Sequence, residues 1–262
     1  MLKNIEDKII YEWDLPLYLR KTYFLTLIPR RYPLMERYKE FDERIIELHN
    51  KHNGERCFII GLGPSLNNTD FSIIKDENFI AVNGFYTGLD NFKIKPQYWC
   101  VADKAVFNKH YQSLLKLDTI LFLTSYAGID FLENEQEYIK ESLNKPIILR
   151  PLGYIGTWER ISKDLTKGVY GGTVIYSCLQ IAYYLGFKEV YLLGCDCDHS
   201  KGIHFDGNTG VRALREKDNF LKIFEYYKIF KKAFEDDGRK IYNATVGGKL
   251  EVFERKKLEE II

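Results

Sequence analysis

Seven short, largely apolar runs punctuate the chain: Cys57 to Ile60, Phe79 to Val82, Tyr98 to Ala102, Thr119 to Leu123, Pro146 to Leu149, Glu189 to Leu193 and Lys240 to Asn243. They are rich in β-branched and aromatic residues, and helical stretches separate most of them. Runs that stay apolar along their length are strands buried on both faces, and alternation with helices joins such strands by right-handed crossovers. The pattern predicts an α/β chain built on a Rossmann-like, doubly wound, mostly parallel sheet. In that architecture the ligand crevice lies at the carboxyl ends of the strands. The residues that follow each run therefore carry the functional reading.

The first run leads into Gly61-Leu-Gly-Pro-Ser-Leu66. Gly61 and Gly63 can adopt backbone angles closed to other residues and let a ligand reach the main chain, while Pro64 has the φ of a first helical turn. N–H groups there, with Ser65 beside them, suit an anion such as a phosphate. A tight strand exit is the alternative, and the third glycine of the dinucleotide fingerprint is absent. After the second run, Asn83 offers an amide to a base, ribose or sugar hydroxyl, or forms an Asn-Gly turn. After the third, Asp103 offers a carboxylate to a ribose or acceptor hydroxyl, or caps the next helix.

Gly172 to Leu185 has the clearest helical pattern, with Val174, Cys178, Ile181, Ala182 and Leu185 on one stripe and Gly186 as its stop. Gly171, Gly172 and Thr173 form its entrance, which is an anion site or a plain cap. Val211 to Asp237 reads as an amphipathic covering helix.

Leu193-Gly-Cys-Asp-Cys-Asp-His199, followed by His204 and Asp206, is the densest cluster of polar chemistry. Asp196 and Asp198 are hard oxygen ligands suited to Mg²⁺ or Mn²⁺ if a turn makes them converge, and a solvated acidic loop otherwise. His199 and His204 supply imidazoles with an ordinary pKa of ~6.5, suited to general-base work near neutral pH.

Residues 1–53 lack the strand rhythm and form a helical, basic and aromatic N-terminal arm, and residues 54–262 carry all seven runs and form the Rossmann-like domain. Between Pro16 and Met35 stand four basic residues and no acidic one, interleaved with Leu, Tyr and Phe. Such a segment lies on an anionic membrane surface, here the inner membrane, or packs on its own domain or a second subunit of a homo-oligomer. Lys and Arg number 38 against 37 Asp and Glu, so no basic excess calls for nucleic acid. The five cysteines include no Cys-x-x-Cys pair. That usage, with the lack of a secretory leader pattern, predicts reduced thiols and a cytoplasmic location.

The chain resembles a bacterial family of sugar-transfer proteins of surface-polysaccharide and flagellin-glycosylation systems, related to the lipooligosaccharide sialyltransferases and to the 6-hydroxymethylpterin pyrophosphokinase-like fold. The resemblance is carried by Gly61 to Leu66, Ala81 to Tyr86, Gly171 to Tyr176, Tyr184 to Asp196 and Ile241 to Phe253. It implies a sialyltransferase-like variant of the GT-A fold. It also implies a donor site formed by Gly61, Gly63, Pro64, Ser65, Asn83, Gly172, Thr173 and Asp196. Leu62 replaces the loop asparagine of the sialyltransferases, and Asp103 replaces another of their asparagines. The implied reaction is an inverting displacement on a CMP-activated, sialic-acid-like donor. A glycan or lipid-linked saccharide is the acceptor, and no cofactor is required. His204, or else His199, acts as base with Asp103 nearby. Two other readings stand beside it: a pyrophosphokinase-like enzyme using ATP with magnesium on Asp196, Asp198 and Asp103, and a non-catalytic nucleotide-binding scaffold.

Overall fold

The computed structural model describes residues 41–138, 140, 145–154, 160–198, 200, 202, 204–207 and 220–261. Strands β1 (Arg56–Ile60), β2 (Asn78–Val82), β3 (Tyr98–Val101), β4 (Ile120–Thr124), β5 (Ile147–Leu149), β8 (Glu189–Leu193), β9 (Lys240–Asn243) and β10 (Glu254–Arg255) form one sheet in the order β10-β9-β8-β1-β2-β3-β4-β5. All seven pairings are parallel. Two further strands, β6 (Pro151–Tyr154) and β7 (Val169–Gly171), pair in parallel as a small second sheet. The seven runs expected from sequence are all strands, each within two residues of its expected ends.

Strand residues alternate between two cores because successive side chains point to opposite faces. Cys57, Ile59, Ile80, Val82, Cys100, Val190 and Leu192 face one core; Phe58, Ile60, Phe79, Ala81, Trp99, Val101 and Leu193 face the other. The first core is covered by α1 (Arg44–Leu48), α6 (Val174–Leu185) and α7 (Phe220–Glu235). The second is covered by α3 (Lys104–Leu114), α4 (Ser125–Glu133) and α5 (Glu135–Tyr138), together with the turns that follow β1 and β2. A one-turn helix, α2 (Leu89–Phe92), continues the second of those turns.

The α6 stripe turns out to be part of a helix buried all round, every residue from Ile175 to Leu185 being buried. Its outer side is closed by residues 160–171, which hang on Gln180. The Gln180 amide accepts from Ser162 N and Tyr170 N at 2.9 Å each and donates to Tyr170 O at 2.8 Å and Tyr176 O at 2.9 Å. Every hydrogen-bonding group of this buried amide is thus matched, as the cost of leaving one unpaired demands. Gly186, at φ 92°, ends the helix in the left-handed conformation.

Of the arm, residues 1–40 lie outside the described residues, and with them the expected membrane-surface segment. Residues 41–53 pack on the sheet domain: Ile45 and Leu48 are buried in its core, and Asn50 and His52 donate main-chain hydrogen bonds to Tyr184 O and Leu185 O at the end of α6. Among the described residues no helix is long and apolar enough to cross a membrane. All five cysteines are free thiols. Burial pushes the Cys57, Cys178 and Cys195 thiols well above their ordinary range, which suits inert packing rather than reactivity.

Candidate functional site

Strand order reverses at β1. The chain runs outward through β2, β3, β4 and β5, then returns to place β8 on the other flank of β1 and continues to β9 and β10. The loops after β1 and β8 are therefore neighbours at the topological switch point, where such sheets bind ligands. Gly61 N donates to Leu193 O at 2.7 Å and Gly63 N to Gly194 O at 2.8 Å. Ser65 donates from N to Asp196 Oδ1 at 3.2 Å and from Oγ to Asp196 Oδ2 at 2.8 Å. Pro64 opens the 3-10 turn Pro64–Asn68. A Cβ on Gly61 would meet Gly194 O at 2.4 Å, and one on Gly63 would meet Asp196 Oδ2 at 1.7 Å. The glycines are thus required by the chain's own β8 loop. Burial is the largest influence on the Asp196 carboxyl and lifts it above the ordinary carboxylate range, with the two Ser65 hydrogen bonds pulling the other way.

Asn83 stands directly after β2 with φ at 43°, and its main-chain O accepts from Trp99 Nε1 at 3.0 Å. Its side-chain Oδ1 is buried without a hydrogen-bond partner. A left-handed backbone and a buried oxygen without a partner on one residue single Asn83 out as a candidate ligand contact. Thr173, the N-cap of α6, repeats the pattern, since its Oγ1 is buried without a partner and accepts no capping bond. Gly172 precedes it at φ 146°. Helix α6 precedes the parallel strand β8, so its N-terminus lies at the carboxyl edge of the sheet. Ser177, one turn in, accordingly meets Thr124 at the end of β4, with the hydroxyls 3.4 Å apart.

Asp103 caps α3, its Oδ1 accepting from Ala105 N at 2.7 Å and Val106 N at 3.3 Å. Asp198 accepts from Ser200 N at 3.0 Å and from Lys249 Nζ at 3.1 Å. The turn between the aspartates, with Cys197 at φ 47°, sends their carboxylates to different partners. Among the described residues no three His, Cys, Asp or Glu side chains form a group able to hold a metal. Asp103, Asp196 and Asp198 thus form no such group.

His199 lies outside the described residues. His204 is half-buried in the loop 204–207. That loop is seated on the site: Phe205 N donates to Leu62 O at 2.7 Å, Phe205 O accepts from Asn67 Nδ2 at 2.9 Å, and the Phe205 ring packs on Phe85 and Phe92. Sequence reading passed over His110 on α3, whose Nδ1 lies 2.6 Å from Tyr86 Oη in the turn after β2. Burial lowers its pKa, with Lys109 acting in the same direction and Asp206 against it. Its signal in the sequence was only an isolated histidine on an amphipathic helix.

A parallel, doubly wound sheet with a glycine loop at its switch point and polar turns along its carboxyl edge defines a Rossmann-like α/β fold. The chain belongs to the MptE-like family, described as 6-hydroxymethylpterin diphosphokinase MptE-like, whose model matches residues 33–202. It is also similar to a probable 3-deoxy-manno-octulosonic acid transferase of Salmonella typhimurium, with 22% identity over 227 residues covering 73% of this chain and 83% of that protein. The fold is similar to that of the sialyltransferase CstII from Campylobacter jejuni in complex with a substrate analogue, cytidine-5'-monophosphate. The TM-score is 0.51 at 18% identity, over 78% of this chain and 85% of the other.

Proposed function

We propose that the protein is a glycosyltransferase that moves a sugar from a nucleotide-activated donor, of the CMP type, to a hydroxyl of a glycan or lipid-linked saccharide. The observation that carries this reading is Asn83, a buried, unmatched amide oxygen on a left-handed residue beside the switch point. It supplies an acceptor for a ligand donor such as an exocyclic amine or a ribose hydroxyl. Similarity to a probable 3-deoxy-manno-octulosonic acid transferase and the fold shared with a sialyltransferase support the class. The sugar named for the first is an acid, and Thr173 at the N-terminus of α6 suits the carboxylate or phosphate of such a donor.

The reaction is an inverting displacement in which the acceptor oxygen attacks the anomeric carbon and the nucleotide departs with the bonding pair. His204 takes the acceptor proton, and positioning with stabilisation of the departing phosphate lowers the barrier. Thermal-shift measurements with CMP, CDP, UDP, GDP and ATP, each with EDTA or magnesium, test the reading, because a ligand bound only by the native state raises its stability. Stabilisation by CMP in EDTA is expected, and its loss in Asn83→Ala. Full turnover by His204→Ala with the true donor would remove that histidine from the role of base.

The family model favours a second reading, transfer of a diphosphate from ATP to a pterin alcohol. Stabilisation by ATP with magnesium and none by CMP would establish it in place of the first. No response to any nucleotide would leave a scaffold.

A further inference from the structure

Three of the four main-chain donors in the loop Gly61–Ser65 are engaged, those of Gly61 and Gly63 by Leu193 O and Gly194 O and that of Ser65 by Asp196; Leu62 carries the fourth, and Pro64 has none. The Ser65 hydroxyl is engaged by the same carboxylate. The volume that a Cβ on Gly63 would fill is filled by Asp196 Oδ2, at 1.7 Å from it. Asp196 is in turn fixed from behind. Its main-chain O accepts from Lys249 N at 2.7 Å, and Gly248, at φ 74°, packs against it where a Cβ would lie 2.5 Å from that oxygen. The cradle that glycine loops offer to phosphate is here occupied by a carboxylate of the chain itself.

We propose that Asp196 is the resident anion of this loop and determines its specificity, excluding phosphate and leaving the adjoining pocket to an uncharged hydrogen-bond donor of the ligand. A phosphate would have to take the same Ser65 donors while standing against a like charge at contact distance, where repulsion is strong even at intermediate dielectric. The pocket beside the loop is lined by Ser65, Asn68, Asp196, Asp198 and the half-exposed Val246, so it offers acceptors and an apolar wall. That chemistry fits a ribose hydroxyl or an amino group and directs the donor's phosphate to other elements of the carboxyl edge. Only the identification of the ligand as a nucleoside rests on the glycosyltransferase reading.

Amide NMR of the full chain, following Gly63 and Ser65 during titration with inorganic phosphate and, separately, with cytidine, tests the proposal. In the wild type phosphate leaves both resonances unmoved and cytidine moves Ser65. Asp196→Asn keeps the size and a Ser65 contact but removes the charge, and its affinity for phosphate at Ser65 should rise on the order of tenfold or more. Asp196→Ser, read the same way, serves if the amide variant fails to fold. A phosphate response at Ser65 in the wild type, or uncharged variants no more responsive than wild type, overturns the role of Asp196. Phosphate arms that behave as expected with no cytidine response uphold Asp196 as the excluding anion and count against the nucleotide reading instead.

Discussion

The loop after β1 and the entrance to α6 are both glycine turns at the carboxyl edge, and both read in the sequence as anion sites. Their fates differ. In the first, Asp196 takes the Ser65 donors and the space over Gly63; in the second, Thr173 Oγ1 is buried without a partner and the helix has no side-chain cap. A glycine turn therefore declares that something approaches the backbone closely, without declaring whether that is a ligand or another part of the chain.

The sharpest way to break the contrast is Gly63→Ala. The added Cβ collides with the carboxylate at 1.7 Å and with Gly194 O at 2.8 Å, neither of which can withdraw without losing its own bonds. A loss of about 3 kcal/mol is expected in chemical denaturation, partly restored by pairing it with Asp196→Gly. Next in size, Gln180→Leu strands the N–H groups of Ser162 and Tyr170 and removes the side-chain donor to Tyr170 O, and should cost about 2–3 kcal/mol while loosening residues 160–171 around α6.

The filled loop also carries a pH signature. Because burial raises the Asp196 carboxyl, the native state holds its proton more tightly than the unfolded chain does. This contribution to stability is full below the unfolded pKa of ~3.9 and is lost as pH rises through the higher native value. Asp196→Asn should lack that component, so the stability difference between variant and wild type changes across this acid interval and levels off above it, as urea titrations at several pH values would show. The smallest effect belongs to the open turn: Thr173→Val removes an oxygen that bonds to nothing, so stability should stay within about 1 kcal/mol of wild type. Stabilisation by CMP should nevertheless fall, and a large loss of stability would mean that this turn too is closed from within.

The fold was legible because strands such as Phe79 to Val82 are apolar throughout and end at turn residues, so pattern and burial coincide. β10 escaped because it is two charged residues, Glu254 and Arg255, at the edge of the sheet, and β6 and β7 because Pro-Leu-Gly-Tyr and Val-Tyr-Gly are interrupted by proline and glycine and show no apolar run. Helix α6 was placed correctly but misjudged in burial, since the segment that covers its outer face carries no periodicity of its own. In the site, Gly63 and Asp196 were each visible, but their contact joins residues far apart in the chain, and no local rule reports it. Asn83 and Asp103 show the same limit from two sides. Both are polar residues after a strand, and only the surroundings reveal that the Asp103 side chain satisfies a helix terminus while the side-chain oxygen of Asn83 meets no partner within the chain.

The interlock of Gly63 with Asp196 has an evolutionary consequence. A lineage that acquires a side chain at position 63 must shed the carboxylate at 196 and also displace Gly194 O, and one that sheds the carboxylate alone gains a vacancy for a mobile anion. The two positions should therefore change together among relatives. A chain that has lost the aspartate while keeping the glycine would be an intermediate whose first loop is again free to bind phosphate.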